Sequence, residues 1–215
     1  MNLDSFWPSL PGLLRGFEMT ILLSLASAAI STVLGVVAAA ARFSRIPVIA
    51  QIAHLYVEVF RGTPLLITLL FVYFGSAGLG LNINLFVASI VGLSVYTGSY
   101  IGEIVRSGLE AVPRSQWEAS QILGLHAPTT FFSVILPQTR RVVLPPLIGQ
   151  YIALVKDSSL ASMIGAMELL RQGQAAIDRI GQPVLVYASV AVLYFIICYP
   201  LSIWVRRLDQ RRLAA

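Results

Sequence analysis

Charge is scarce in this chain. Asp, Glu, Lys and Arg make up 12% of its 215 residues, against roughly a quarter in a soluble domain, which argues against a water-soluble fold. Cysteine is nearly missing as well. Cys198 is alone, so neither an intrachain disulfide nor a cysteine metal site can form. His54 and His126 have no second ligand three or four residues away, which speaks against a metal site. The phosphate-cradling pattern G-x-x-x-x-G-K-[ST] is lacking around Gly75-Ser76-Ala77-Gly78, so any ATP that powers the protein is expected on a separate subunit. No internal repeat or low-complexity tract is visible, and residues 1–215 read as a single domain.

What is abundant is apolar length: 57% of the chain is hydrophobic. Residues 19–41 and 180–205 each run without a charge. Either stretch can cross the roughly 30 Å hydrocarbon layer at about 1.5 Å per residue. Residues 62–102 are also uncharged, but the glycines and asparagines of 75–84 mark a turn that divides them into two helices. Apolar stretches without strand alternation imply a helical bundle, because lipid offers the backbone no hydrogen bonds. The expectation is an all-α integral membrane protein with five transmembrane helices, at about 17–41, 47–74, 85–105, 140–157 and 182–205.

The net charge of +5 orients this bundle and does not mark a nucleic-acid site. Arg42 and Arg45 follow the first span. Arg106, Arg114, Arg140 and Arg141 surround a loop at 109–139, Arg206, Arg207, Arg211 and Arg212 end the chain, and the turn near Asn82 has no charge. Positive residues gather on the cytoplasmic side of short loops. The N-terminus is therefore expected outside, the loops 42–46 and 106–141 inside, the segments 75–84 and 157–179 outside, and the C-terminal tail inside. The first 16 residues lack the layout of a secretory signal. Phe6, Trp7, Leu10, Leu13 and Leu14 suggest instead an interfacial helix with an aromatic anchor.

The 109–139 loop has its own grammar. Pro113 ends the preceding helix. Ser115 and Glu118 fit the S-x-x-E capping box and would start a helix at Gln116. Trp117, Ile122 and Leu125 would give it apolar contacts, Gly124 would stop it after about two turns, and Pro137 would stop the chain before the Arg140–Arg141 anchor. Ala119 and Ser120 are small enough to let another surface approach. One reading is a plain surface connector between spans three and four; the other is a contact site for a soluble partner.

Charges inside the spans are few and costly. On a straight second span, Glu58 and Arg61 fall near mid-membrane, where each costs about 3 kcal/mol, and three residues apart they can pair. Glu103 and Arg106 repeat that spacing near the inner end of span three. Both pairs could simply hold the bundle together. Alternatively Glu58 or Glu103 lines a polar path for a zwitterionic solute, with Pro64 and Pro145-Pro146 freeing carbonyls towards protein or a cavity and Lys156-Asp157-Ser158-Ser159 adding contacts. Tyr73, Tyr96 and Tyr100 are more ordinarily packing or interface aromatics.

Glu118-Ala119-Ser120, Gly124 and Ile135-Leu136-Pro137 together resemble the E-A-A, G, I-x-x-P loop of permease subunits of bacterial ABC importers. Tyr56-Val57-Glu58-Val59-Phe60-Arg61-Gly62-Thr63-Pro64, Tyr100-Ile101-Gly102-Glu103-Ile104-Val105-Arg106, Pro137-Gln138 and Lys156-Asp157-Ser158-Ser159-Leu160 resemble the signatures of the polar amino acid branch, so the likeness covers essentially the whole chain. It departs from the pattern at Ser115, Ser120 and Ser158, all small exchanges. The resemblance implies a type I ABC importer fold in the cytoplasmic (inner) membrane. In such a fold Glu118, Ala119, Ser120, Gly124 and Pro137 would belong to a coupling helix seated on a cytoplasmic ATPase dimer. It further implies a second permease subunit, identical or homologous, and an extracytoplasmic binding protein that delivers an amino acid. No cofactor is expected in this chain, ATP and Mg being bound by the partner. Glu58, Arg61, Tyr100, Glu103, Lys156, Asp157, Ser158 and Ser159 would line the substrate path. Two rival readings are an ion-coupled secondary transporter, for which the chain is short and unrepeated, and an intramembrane enzyme, for which no nucleophile–base pair or metal cluster sits in the spans.

Overall fold

The computed structural model describes residues 6–213, with side chains through residue 207; residues 1–5 and the side chains of Arg211 and Arg212 lie outside the described residues. Among the described residues every regular element is helical. A 3-10 turn, Trp7–Ser9, leads into α1 (Leu10–Arg42), followed by α2 (Pro47–Gly62), α3 (Leu65–Gly78), α4 (Leu85–Glu110) and α5 (Arg114–Ile122). A helical run then begins with α6 (Ala127–Thr129), widens to a π turn at Thr130–Ile135 and continues as α7 (Leu136–Asp157). A 3-10 segment, Ser158–Ile164, joins it to α8 (Leu169–Ile180), and α9 (Pro183–Leu213) closes the chain.

The tightest packing in the bundle is between α1 and α4, and the sequence explains it. Thr20, Ser24, Ser27, Ser31, Gly35 and Ala38 recur every three or four residues along α1 and are all buried. They face small residues of α4: Ser94 donates to the Ser27 carbonyl, Gly98 lies against Ser31 and Leu34, and Gly102 against Gly35 and Ala38. Small side chains let two backbones approach, which is how helices gain packing energy in lipid. At Gly35 an added Cβ would lie 2.6 Å from the side chain of Ile101 and 2.9 Å from the Gly102 nitrogen, so no larger residue fits. Leu65, Leu69, Leu93 and Leu154 form one apolar cluster beside this seam, and Leu13, Leu169, Val186 and Val190 form a second where α8 meets α1 and α9.

Among the described residues, three helical stretches are long and apolar enough to cross a membrane: Trp7–Arg42, Leu85–Glu110 and Pro183–Arg207. The expected second span is not one straight helix. It breaks at Thr63-Pro64 into α2 and α3, which meet at 111°. Pro64 holds an extended backbone at the junction (φ −62°, ψ 139°) and lacks the N–H that would continue α2. The 22-residue α7 is not among the apolar stretches; Gln138, Arg140, Arg141, Gln150, Lys156 and Asp157 dilute it.

The entry segment differs from expectation too. From Leu10 onward it is the start of α1 and no separate interfacial helix. Leu13 and Gly16 are buried against α8, although Trp7 is exposed. The turn at 75–84 agrees with the reading. Asn84 caps α4, its side chain accepting the Val87 N–H at 2.8 Å.

Candidate functional site

At one end of the bundle the C-termini of α1 and α4 meet the N-terminus of α7, and α5 lies across them. Arg114 is the first residue of α5 and Pro113 its N-cap, so the expected capping box does not form: Ser115 sits inside the helix and makes no cap. The helix starts two residues early because Pro113, extended at φ −57° and ψ 140°, leaves its carbonyl to accept the Gln116 N–H at 3.0 Å. The predicted stop does form. Gly124 has φ +71°, its N–H reaches the Gln121 carbonyl at 2.9 Å, and the Leu125 N–H reaches the Ser120 carbonyl at 3.0 Å. This double closure is the Schellman geometry that glycine makes cheap.

Ser120 is buried beneath α5 and donates to the Gln116 carbonyl, whereas Glu118 and Ala119 are exposed. Ile122 does not pack inward as its spacing suggested. It is 86% exposed and Leu123 is 76% exposed, an apolar tip on an otherwise polar helix. Pro137 also has a different role from the one expected. It lies where the π turn of Thr130–Ile135 passes into α7, so the helical run continues through it and the chain is not stopped there. Gln138 next to it donates to the Val134 carbonyl at 2.9 Å and to Gln116 Oε1 at 3.4 Å, tying α7 to α5.

Tyr96, Tyr100 and Glu103 share one face of α4 at helical spacing. The two tyrosine hydroxyls are 3.1 Å apart. Glu103 is the hub of an arginine cluster gathered from three helices. Arg42 of α1 donates to its Oε2 at 2.6 Å, Arg106 of α4 grips both oxygens at 3.1 and 2.5 Å, and Arg61 of α2 lies 3.7 Å away. Arg106 also pairs with Glu110 at 2.5 Å, and Arg42 donates to His54 Nδ1 at 3.0 Å. The guanidinium of Arg61 stands 5.6 Å from the Tyr100 ring centroid, within cation–π range. Arg61, Tyr100 and Glu103 line a cavity of about 230 Å³ closed on the α7 side by Val142 and Pro146.

The expected Glu58–Arg61 pair is absent. Glu58 is exposed and forms no ion pair among the described residues, because Arg61 turns to Glu103 on α4. Lys156, Asp157, Ser158 and Ser159 are not part of the Arg61 cavity either. From Pro146 to Asp157 the chain climbs roughly 16 Å along α7. There Ser158 and Ser159 donate to the carbonyls of Val155 and Lys156, closing the helix end locally.

Two features had no signal in the sequence. Arg42 read only as an orientation charge, yet it is a principal partner of Glu103, 61 residues away. Glu168 read as nothing, yet it is fully buried at the far end of the bundle. It caps α8 by accepting the N–H groups of Leu170 and Arg171, each at 2.8 Å, and accepts the Tyr194 hydroxyl at 3.0 Å. Leu169 N–H donates to Thr20 Oγ1 at 3.1 Å, so α1, α8 and α9 meet at this point. Burial pushes the Glu168 carboxyl above its ordinary value near 4.5, against the pull of its three donors. Among the described residues no group of His, Cys, Asp and Glu could hold a metal.

Residues 31–213 match the family described as binding-protein-dependent transport system inner membrane component. The chain belongs to this family. It is 37% identical over 211 residues to the L-cystine transport system permease protein TcyB of Bacillus subtilis (strain 168), covering 98% of the chain and 88% of that protein. To the glutamine transport system permease protein GlnP of Escherichia coli (strain K12) it is 37% identical over 210 residues, covering 97% and 96%. The solved structure of an amino acid ABC transporter with histidines superposes with a TM-score of 0.91 at 31% identity, over 98% of this chain and 99% of that one. The chain thus has the type I ABC importer permease fold, is a multi-pass inner membrane transport component of the polar amino acid branch, and is not an enzyme.

Proposed function

We propose that the chain is the transmembrane subunit of an importer that carries a polar or charged amino acid, or a close derivative, across the cytoplasmic membrane. A dimeric ATPase on the cytoplasmic side binds ATP and Mg, an extracytoplasmic binding protein delivers the solute, and a second permease, identical or homologous, completes the path. The relatives with matching length carry cystine and glutamine in their names, which supports an amino acid as cargo.

Five crossings, with the bent α2–α3 pair counted as one and α7 as another, put the N-terminus outside and the C-terminus inside. The supporting observation is that Arg42, Arg45, Arg106, Arg114, Arg140 and Arg141 all gather at the α5 end. The coupling role rests above all on α5 itself. It is a two-turn helix locked by Gly124 and Gln138 that presents Ile122 and Leu123 to the surroundings. Glu118, Ala119, Ser120, Gly124 and Pro137 shape and position it. When ATP closes the ATPase dimer, α5 is carried with it, and Gln138 passes the displacement to α7.

The substrate path runs along the α4 face from Asp157 and Tyr96 past Tyr100 to Arg61 and Glu103. Glu103 is saturated by guanidinium groups, so Arg61, which keeps an exposed side, is the group able to meet a carboxylate. Lys156, Ser158 and Ser159 shape the opposite entrance, and Glu58 faces the second permease.

Gly124→Asp tests the coupling role. A side chain at φ +71° costs about 1–2 kcal/mol and distorts the end of α5. In vesicles holding the assembled transporter, uptake should be lost while the ATPase still hydrolyses ATP. Uptake at the wild-type rate would contradict the role.

A further inference from the structure

A second cavity lies apart from the polar face of α4. It is a groove of about 1210 Å³, open along one side, between the inner ends of α1, α4 and α7 and roofed by α5. Its volume exceeds the roughly 300–1,000 Å³ of an ordinary small-molecule cleft, and its walls are apolar: Val36, Leu109, Val143, Leu144 and Leu147. A groove of this composition at membrane depth suits hydrocarbon. What gives it selectivity is its rim.

Four charged side chains line the groove: Glu110, Arg114, Glu118 and Arg140. Glu110 is engaged by Arg106 at 2.5 Å. Arg114 and Arg140 form no ion pair among the described residues, and Glu118 stands beside them on α5. Trp117 lines the groove under the same helix, the residue type that settles at the headgroup level. Two guanidinium groups free of direct ion pairs over an apolar trough are complementary to a phosphate attached to acyl chains.

We propose that an anionic phospholipid of the leaflet facing α5 occupies this groove, its chains along α1 and α7 and its phosphate between Arg114 and Arg140. The lipid then forms part of the seat of α5, so the anionic lipid content of the membrane tunes how firmly the coupling helix is held. The site rests on the orientation given above. Lipid retention reads it whether or not α5 engages an ATPase.

The test is native mass spectrometry of the complex extracted from vesicles of equal phosphatidylglycerol and phosphatidylethanolamine. The wild type should retain phosphatidylglycerol over phosphatidylethanolamine by roughly tenfold, the factor supplied by one charge-assisted hydrogen bond. R114Q/R140Q should abolish that preference and R114K/R140K should keep most of it. Ala40→Trp, which fills the groove with both arginines intact, should lower retention of both lipids, and it reads the same site if the glutamine variant does not assemble. An unchanged phosphatidylglycerol preference in R114Q/R140Q, or unchanged retention in Ala40→Trp, overturns the proposal. So does a photoreactive group at Leu144 that cross-links to a second copy of the chain and not to lipid.

Discussion

Two carboxylates, Glu168 fully buried and Glu103 partly so, stand at opposite ends of this bundle and are held in opposite ways. Glu168 is compensated by fixed dipoles: two backbone N–H groups at the start of α8 and the hydroxyl of Tyr194. Glu103 is compensated by mobile charges, the guanidinium groups of Arg42, Arg61 and Arg106. Backbone dipoles cannot leave without unfolding the helix end, so the Glu168 junction of α1, α8 and α9 is permanent. Arginine side chains can let go and regroup, and one of them sits on α2, just before the 111° break. The rigid end thus lies away from α5 and the rearrangeable end beside it. That is the division of labour expected of a subunit driven from one side.

The sharpest way to break this contrast is Glu168→Ala. It strands two amide groups and a tyrosine hydroxyl in a fully buried site, so the expected loss of stability is about 3 kcal/mol, read as a lower unfolding temperature and poor yield in detergent. A loss no larger than that of an exposed control would remove the claim of a rigid junction. Glu103→Gln should do the reverse. Its side chain is 19% exposed, and the loss of its charge should cost stability only about 1 kcal/mol. Coupling between sites should fall by on the order of 1 kcal/mol, a several-fold drop in uptake with assembly intact. Loss of assembly in place of uptake would mean that the arginine cluster is structural cement.

The smallest effect concerns pH. Because burial raises the Glu168 carboxyl above about 4.5, the folded protein binds that proton more tightly than the unfolded chain. The resulting stabilisation is complete below the unfolded value and disappears as pH rises through the folded one. Unfolding temperature should therefore fall as pH is raised above 4.5, and Glu168→Gln should flatten that slope. An equal slope in the variant would assign the pH dependence to other groups.

The contrast also marks what could be read from the sequence. Long uncharged runs, the turn at 75–84 and the stop at Gly124 are local signals, written within a few residues, and they agree with the structure. The small-residue ladder of α1 was legible only as apolarity, because its partner lies on α4. Pro64 in the sequence suggests a freed carbonyl within one span, yet Pro following Thr63 drives the preceding residue out of helical geometry altogether. Glu58–Arg61 looked like a pair from spacing along one helix. The third dimension placed Glu103 nearer to Arg61. Glu168 could not be anticipated, since glutamate is an uncommon cap and its tyrosine partner follows 26 residues later. Ile122 has the spacing of a buried residue, but the bundle supplies no surface beneath it.

The apolar tip of α5 is also where the account is most exposed to test. Ile122→Asp with Leu123→Asp alters two side chains that the bundle leaves almost entirely uncovered, so the chain should still fold and reach the membrane. Copurification of the cytoplasmic ATPase with this variant is the decisive measurement. The account requires the ATPase to be lost while the permease is recovered at wild-type yield. An ATPase retained at wild-type stoichiometry, with uptake intact, would contradict the claim that α5 receives the work of ATP hydrolysis.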